Sequence, residues 1–204
     1  MKTRHTLASL PVAGLLCLAA AGCLNLKPSA DPTRYFLLTS IASDGQPQPP
    51  DAARNRFSLG IAPVTVPAYL AKPWMVVRAS DTEIRYSDFN KWGEYLDNGI
   101  QRTLAENLGQ LLGTDRVSLD SWKRATVDAE LRVAVRRFDV TPDGQVVLEA
   151  DWEIRGQTAV TRHHVIRKTG PDAVADPAGA VKTMSKALGE LSRVIAQGLR
   201  SPAD

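Results

Sequence analysis

The sequence predicts an α/β domain: a mixed, largely antiparallel sheet with two long amphipathic helices packed on it. Three observations lead to this fold class. Apolar residues recur at helical spacing in residues 92–112 and again in residues 177–199. Segments that alternate apolar with polar residues lie before the first helix and between the two helices. The sequence Thr-Pro-Asp-Gly at 141–144 is typical of a tight turn between antiparallel strands.

The first residues are typical of an export signal. Lys2 and Arg4 precede an apolar run at 7–21, which is too short to span a membrane because a spanning helix takes about 20 apolar residues. The small residues at 20–22 then stand immediately before Cys23. We therefore expect cleavage before this cysteine. The alternative is an ordinary secreted protein that is cut near Ala21 and keeps Cys23 as a free thiol.

Cleavage there divides the chain into three predicted parts. These are a signal peptide at 1–22, a tether at 23–32 that begins with Cys23, and a folded domain at 33–204. The formal net charge falls from +3 to +1 when Lys2 and Arg4 leave with the signal. A charge so close to zero gives no long-range steering, and nucleic acid is not an expected partner.

Four segments ahead of the first helix are predicted as strands. They lie at 34–40, 56–66, 74–79 and 83–87, and the last two form a hairpin. Residues 42–55 separate the first two strands, and their Pro, Gly, Asp and Gln residues indicate a surface loop.

Both helices carry terminal signals. Ser87 or Asp88 is expected to cap the start of the first helix, and Gly113 follows its end. The second helix begins at Pro177 with Asp176 as its cap. The apolar stripe of each helix is expected to pack in the core rather than to bind a membrane.

The register of the hairpin around 141–144 follows from its turn and its apolar faces. The turn places Val140 opposite Val146. Farther out, the apolar faces match only when the first strand holds one extra residue, which a β-bulge at Arg136 and Arg137 opposite Glu149 supplies. The other predicted pairs are Phe138–Leu148, Val135–Ala150, Val133–Trp152, Leu131–Ile154 and, on the outer face, Arg132–Glu153.

A third strand at 158–168 is expected after a two-residue turn, and it carries the two histidines that follow the signal. This register places His164 beside Glu149 as a solvated partner, and His163 half-buried on the opposite face. Side chains on opposite faces cannot easily chelate one ion, so no metal site is predicted.

The residues give no catalytic constellation. There is no nucleophile elbow and no glycine-rich phosphate loop. The carboxylates Glu149, Asp151 and Glu153 alternate with apolar residues and face basic ones across the hairpin, so we expect a solvated sheet face there. No catalytic residue and no cofactor are predicted, and the protein is not expected to be an enzyme.

One irregular segment places apolar side chains around two prolines. Tyr69, Leu70 and Trp74 lie in the sequence VPAYLAKPWMVV, which cannot be regular throughout. Such side chains either plug the end of a core or anchor a partner. The residues alone leave both interpretations open.

Several segments together resemble a known family. The small residues before Cys23 are similar to the lipobox of bacterial lipoproteins. The segments TRYFLLTS, VPAYLAKPWMVVR, KWGEYLDNGIQRTLAENLGQLLG and RVAVRRFDVTPDGQVVLEADWEI resemble, in order, the ABC-type transport auxiliary lipoproteins of the PqiC type. The family's Arg-Trp-Ala-Glu-Pro-Leu motif differs here, because residues 91–96 read Lys-Trp-Gly-Glu-Tyr-Leu.

This resemblance implies an acylated Cys23 and a non-catalytic function. Leu24 follows that cysteine rather than an aspartate, which favours the outer membrane, with the domain facing the periplasm. The implied partners are an MCE-domain protein and an inner-membrane transporter complex that moves phospholipids or other hydrophobic molecules between membranes. A ring-shaped homo-oligomer is a further expectation, since a rotationally symmetric conduit suits a symmetric partner.

The residues expected at the docking surface are Tyr69, Leu70, Trp74 and Trp92. Two other functions remain open from the sequence. One is an assembly or regulatory factor of another envelope machine. The other is a carrier that holds a lipid itself.

Overall fold

The computed structural model describes residues 30–41, 56–119, 127–156 and 159–200. The chain divides into two units, Met1–Pro32 and Thr33–Asp204, and the architecture below concerns the second. The predicted signal peptide and Cys23 lie outside the described residues. The three-part division of the chain therefore stays a prediction.

The described residues form eight strands and two helices. The first half contains β1 (Arg34–Phe36), β2 (Leu59–Ile61), β3 (Trp74–Arg78), β4 (Ile84–Trp92) and α1 (Leu96–Leu112). The second half contains β5 (Val117–Leu119), β6 (Ala129–Val140), β7 (Gln145–Arg155), β8 (Val160–Thr169) and α2 (Pro177–Arg200). No helix of the described ranges has the length and apolar character to cross a bilayer.

The strands form one mixed sheet around β6. One edge of β6 pairs with β2 and, farther along, with β3, and its other edge pairs with β7, which is followed by β8. Among the described strands, four of the seven pairings are parallel: β1 with β4, β2 with β5, β2 with β6 and β3 with β6. The mixed α/β class is confirmed, but the expectation of a largely antiparallel sheet is wrong. A parallel pair joins distant segments without a turn, so local sequence signals do not reveal it.

The hairpin of β6 and β7 has the predicted register. Val140 pairs with Val146 near the turn, and Leu131 pairs with Ile154 at the far end. The register shifts between Val135 and Arg137, where the bulge was predicted. The extra residue keeps the apolar side chains on one face along the whole hairpin.

The predicted register of β8 is wrong by one residue. Glu149 pairs with Val165 rather than with His164, because β7 ends at Arg155 and β8 starts only at Val160. The connection is thus longer than the predicted two-residue turn. A shift of one residue exchanges the faces of a strand, so the predicted positions of the two histidines are reversed.

The first helix begins later than predicted. Trp92 is the last residue of β4, and its backbone N–H donates to Pro73 O over 2.7 Å. Tyr95 is the N-cap residue of α1 and makes no side-chain capping bond, so a cap at Ser87 or Asp88 is wrong. Gly113 has the predicted left-handed conformation, with φ 67°.

The second helix begins as predicted. Asp176 Oδ1 accepts the N–H of Gly179 over 2.9 Å, which satisfies one of the free donors at the start of α2. Pro177 is the first helical residue, where its missing N–H has no partner to lose.

The core lies between the sheet and both helices. Ile100, Leu104 and Leu108 of α1 are fully buried, but so are polar residues of the same helix. Asn107 is one of these: its Oδ1 accepts the N–H of Ile41, and its Nδ2 donates to Ser192 Oγ on α2. The buried face of α1 is therefore wider than the predicted apolar stripe and less apolar. Its polar bonds join the helices to the segment after β1.

Candidate functional site

The segment between β2 and β3 leaves the edge of β6 and returns to it. Thr65 bridges Ala134 and Val77 pairs with Val140, so the chain advances 12 positions from 65 to 77 while β6 advances only 6. Tyr69 lies within the extra residues, and Trp74 follows them as the first residue of β3. The irregular segment found in the sequence is thus an excursion from the sheet edge.

Two of the four residues predicted for docking are core residues. The exposed fraction of Leu70 is 2% and that of Trp92 is 7%. Both side chains belong to the main hydrophobic cluster beneath the sheet. Leu70 therefore plugs the core, and neither side chain is available to a partner at the surface.

Tyr69 is half-buried and is held by a buried carboxylate. Its hydroxyl donates to Asp139 Oδ2 over 3.2 Å, and Asp139 itself is fully buried on β6. Arg78 Nε and Arg137 Nε each donate to Asp139 over 2.8 Å, so the carboxylate is neutralised by two guanidinium groups. These four residues, Tyr69, Arg78, Arg137 and Asp139, form what we name the Asp139 cluster.

The Asp139 cluster shifts the acid–base properties of its members. Burial, followed by the charge of Asp139, raises the pKa of Tyr69. The hydrogen bond to Asp139 raises the pKa of Arg78, whose guanidinium also lies 5.8 Å from the centre of the Tyr69 ring. The phenol stays neutral and the guanidinium charged over the physiological range. The cluster thus fixes the excursion to β6.

Trp74 lies on an exposed face of the sheet with three other apolar side chains. Trp74 pairs with Lys91, and Lys91 pairs with Tyr35, so all three point to the same face. The ring of Tyr86 lies 6.1 Å from that of Trp74 at an interplanar angle of 58°. Leu37 follows two residues after Tyr35. We name Tyr35, Leu37, Trp74 and Tyr86 the aromatic face.

The aromatic face is exposed to an unusual degree for large apolar residues. The exposed fractions are 66% for Tyr35, 52% for Leu37, 38% for Trp74 and 41% for Tyr86. Exposed apolar side chains grouped on one face in this way mark interaction sites more often than scattered ones do. Aromatic side chains are also enriched among the residues that dominate binding energy.

The excursion supports the aromatic face from one side. The hydroxyl of Tyr86 donates to the backbone oxygen of Tyr69 over 3.2 Å. The Asp139 cluster thus fixes Tyr69, and Tyr69 fixes Tyr86 beside Trp74. Lys91 stands between Trp74 and Tyr35, and no ion pair to Lys91 is found in the described part of the chain. The surface therefore combines apolar rings with an accessible cation.

Sequence reasoning found Trp74 but missed Tyr35, Leu37 and Tyr86. These residues lie in segments that were predicted as strands, so their alternation could be read from the sequence. Which of the two strand faces is uncovered depends on where the helices pack. That information comes only from the tertiary structure.

The two histidines exchange the environments that were predicted for them. His163 is exposed, with Nδ1 2.7 Å from Asp151 Oδ1 and Nε2 3.5 Å from Glu149 Oε1. Its hydrogen bond, and then that of Arg136, lowers the pKa of Asp151. His164 instead stacks on Trp152, whose Nε1 donates to His164 Nδ1 over 3.0 Å. Burial lowers the pKa of His164.

These side chains do not assemble a metal centre. Within residues 30–41, 56–119, 127–156 and 159–200, no group of three or more His, Cys, Asp or Glu residues is placed to hold an ion. The carboxylates near His163 are instead paired with arginine or histidine across the sheet. The aromatic face remains the candidate functional surface.

Comparison with known proteins gives one family and several related structures. The model of a family described as "ABC-type transport auxiliary lipoprotein component" matches residues 36–196, more than half of the chain. The intermembrane transport lipoprotein PqiC of Escherichia coli K12 is 29% identical over 123 residues, and the PqiC of Shigella flexneri matches equally. That match covers 60% of this chain and 63% of PqiC, which is less than two thirds of the relative.

Two crystal structures share the fold. An uncharacterized protein superposes with a TM-score of 0.66 at 23% identity, covering 82% of this chain and 98% of that protein. A protein from Xanthomonas campestris superposes with a TM-score of 0.63 at 15% identity, covering 82% and 95%. At such identities the likeness extends to the fold alone.

Proposed function

Because the chain belongs to the family of ABC-type transport auxiliary lipoprotein components, we propose that it is a non-catalytic, lipid-anchored subunit of an MCE/ABC-type intermembrane lipid transport system. In this function the domain docks on the MCE component and supports the integrity of the envelope. The observation that supports docking is the aromatic face, an exposed apolar surface held by a buried polar cluster.

The anchor in this proposal is Cys23. The small residues before it meet the steric demand of the lipoprotein signal, and Leu24 after it favours the outer membrane. One acyl chain of myristoyl length binds a membrane only marginally, whereas several chains hold a protein firmly, since each buried CH₂ contributes about 0.8 kcal/mol. The domain then faces the periplasm, within the reach of a tether of about ten residues.

The docking surface in this proposal consists of a different set of residues from the one predicted from the sequence. Trp74 remains at its centre, and Tyr69 supports it from the excursion. Leu70 and Trp92 contribute only by packing beneath the surface. Tyr35, Leu37 and Tyr86 are added, because they share the exposed face of Trp74.

The chemistry of the surface favours a protein partner with apolar and acidic side chains. Aromatic rings provide large contact areas with little loss of conformational entropy, because few torsions become fixed. Lys91 lies between two of these rings and would pair with a carboxylate of the partner. The relative PqiC is described as an intermembrane transport lipoprotein, which supports a partner within such a system.

A pull-down of the full-length lipoprotein from membranes tests this function. The wild-type protein is expected to recover an MCE-domain protein and transporter subunits. The double variant Tyr35→Ser, Trp74→Ser is expected to lose them while the circular dichroism spectrum stays unchanged, because both side chains are exposed. Phe89→Ser serves as a matched control, since Phe89 is an exposed aromatic residue outside the aromatic face. Recovery of another envelope machine instead would support the assembly-factor alternative.

A further inference from the structure

A groove opens on the helix side of the hairpin formed by β3 and β4. Its volume is about 460 Å³, which lies within the range of about 300–1,000 Å³ for small-molecule sites. Met75 and Val77 form its floor together with Ala173. Because Met75 and Trp74 are adjacent on β3, the floor of the groove lies on the opposite side of the sheet from Trp74. Tyr86 of the aromatic face also lines the groove and marks the border between the two surfaces.

Two exposed apolar side chains form opposite walls of the groove. Phe89 is 52% exposed and Val174 is 70% exposed. Phe89 lies where β4 bulges: between the pairs Trp74–Lys91 and Val76–Tyr86, β4 advances five residues while β3 advances two. The bulge turns the side chain of Phe89 outward, away from the packed core.

Hydrogen bonds hold both walls in place. The backbone N–H and the Nδ2 of Asn90 both donate to Ser87 Oγ, which closes the bulge around Phe89. On the other wall, the backbone N–H groups of Val174 and Ala175 donate to Asp172 Oδ1 over 2.8 Å each. The exposure of Phe89 and Val174 is thus built into two ordered turns, and the groove is formed before any ligand arrives.

The size of the groove favours a small ligand over a protein. Twelve residues line it, whereas a stable protein interface takes about 20–30 residues on each side. The apolar floor of the groove suits a hydrocarbon chain, because apolar cavities hold water poorly and accept apolar ligands. A second copy of this chain or a folded partner would need a larger surface.

The basic residue of the lining is Arg85, which gives an anionic head group on that chain a partner. Arg85 lines the groove and uses Nε to bind Glu83 Oε1 over 2.9 Å. Its side chain is 71% exposed, so the terminal N–H groups remain accessible to a phosphate or carboxylate. Asp88 is the acidic residue of the lining and repels an anion, which places the head group at the Arg85 side.

We propose that this groove binds one acyl chain of a membrane lipid, with an anionic head group held by Arg85. The inference deepens the proposed function and rests on it for the class of ligand.

Photochemical labelling of the full-length lipoprotein in living cells tests the proposal. Cells receive a fatty acid that carries a diazirine and an alkyne, are irradiated, and the lipoprotein is purified for peptide mapping by mass spectrometry. Adducts are expected on the peptides that contain Phe89 or Val174. Label incorporated at Cys23 maps to a different peptide. Alkaline hydrolysis of the adducts then distinguishes a phospholipid, which loses its head group, from a free fatty acid.

Two variants test whether the labelling depends on the groove. Val174→Glu places a carboxylate in the apolar wall and is expected to lower the yield of these adducts roughly tenfold, since burying an unpaired charge is costly. Phe89→Ser removes the other wall and lowers it as well. Both side chains are exposed, so the fold stays intact. The control Tyr35→Ser, Trp74→Ser is expected to keep the adducts.

The outcomes separate this inference from the proposed function. Adducts only outside the groove, or an unchanged yield in Val174→Glu, would overturn the groove proposal. Co-purification of the transport partner is measured in the same samples. Its absence from the wild-type samples, together with intact groove labelling, would count against the docking function alone.

Discussion

The hydroxyl of Tyr69 donates to the buried carboxylate of Asp139 over 3.2 Å. This hydrogen bond joins the excursion after β2 to strand β6. Asp139 is also the acceptor for Arg78 and Arg137, so one carboxylate organises three side chains from three segments. Through the bond from Tyr86 to the backbone of Tyr69, the same carboxylate sets the geometry of the aromatic face.

Replacing Asp139 is expected to destabilise the protein. Asp139→Ala leaves two guanidinium groups without their acceptor, and breaking a buried ion pair from one side costs about 3–5 kcal/mol. We expect the lower end, about 3 kcal/mol, because Arg78 and Arg137 keep part of their surface in water. Chemical denaturation measures the free energy of unfolding. Asp88→Asn is the control on an exposed carboxylate, and an equal loss in both variants would contradict a special role of the cluster.

Removing only the phenol hydroxyl is expected to have a smaller effect. Tyr69→Phe deletes one hydrogen bond and keeps the ring beneath Arg78, which costs about 1 kcal/mol. Tyr86→Phe, whose lost bond is exposed, should cost less. Denaturation curves give the free energy of unfolding of both variants. A larger loss in Tyr86→Phe would contradict the expectation that the hydrogen bond of Tyr69 contributes more to stability.

Acidification is expected to weaken the fold through His164. The pKa of His164 is lowered in the folded protein, first by burial and then by the charges of His163 and Arg162. The unfolded chain therefore takes up a proton first, as the pH falls through about 6.5, and stability decreases until the folded histidine is also protonated. Protonation also removes the acceptor for Trp152 Nε1.

The variant His164→Gln isolates that dependence. Stability is measured by denaturation at pH 7.5, 6.5, 5.5 and 5.0, values chosen to bracket a histidine pKa of about 6.5. The slope of unfolding free energy against pH should flatten in His164→Gln and persist in His163→Gln. An unchanged slope in His164→Gln would show that another group causes it.

Gly189 of α2 packs against Ile41 in the segment after β1, and there is no room for a side chain at this position. A Cβ there would lie 2.7 Å from Ile41 Cγ2, and this branched side chain cannot easily move away. Overpacking costs about 1–3 kcal/mol, which outweighs a helical preference of about 1 kcal/mol for alanine over glycine. Gly189→Ala should therefore lower the melting temperature.

Gly99→Ala is the matched control for that change. A Cβ at Gly99 meets the carboxylate of Glu94 at 3.3 Å, and that side chain is partly exposed and able to shift. This variant should keep or raise the melting temperature. A fall as large as that of Gly189→Ala would mean that both helices are equally crowded.

The sequence alone predicted the hairpin of β6 and β7 because every signal there is local. The turn, the apolar alternation and the charges opposite Arg136 and Arg137 all agree on one register. The predicted register of β8 was wrong because it depended on the length of one connection. The parallel strand pairs were not predicted for a different reason. Leu59 and Ala129, for example, are 70 positions apart, and no local pattern links them.

The start of α1 shows a second limit of sequence patterns. Trp92 continues the helical spacing of the apolar stripe, yet it is the end of β4 and faces the core from the sheet. One apolar residue suits either period when it stands at the junction of two elements. Predicting the aromatic face would require knowing which side of the sheet the helices cover.

Crosslinking from the aromatic face in intact cells tests directly whether this surface docks on a transport partner. A photoreactive phenylalanine analogue replaces Tyr35, which is 66% exposed, in the full-length lipoprotein. We expect a protein adduct that mass spectrometry identifies as an MCE-domain protein, and no such adduct from the analogue at Val165. Adducts with lipid alone, or none with any transport subunit, would contradict it.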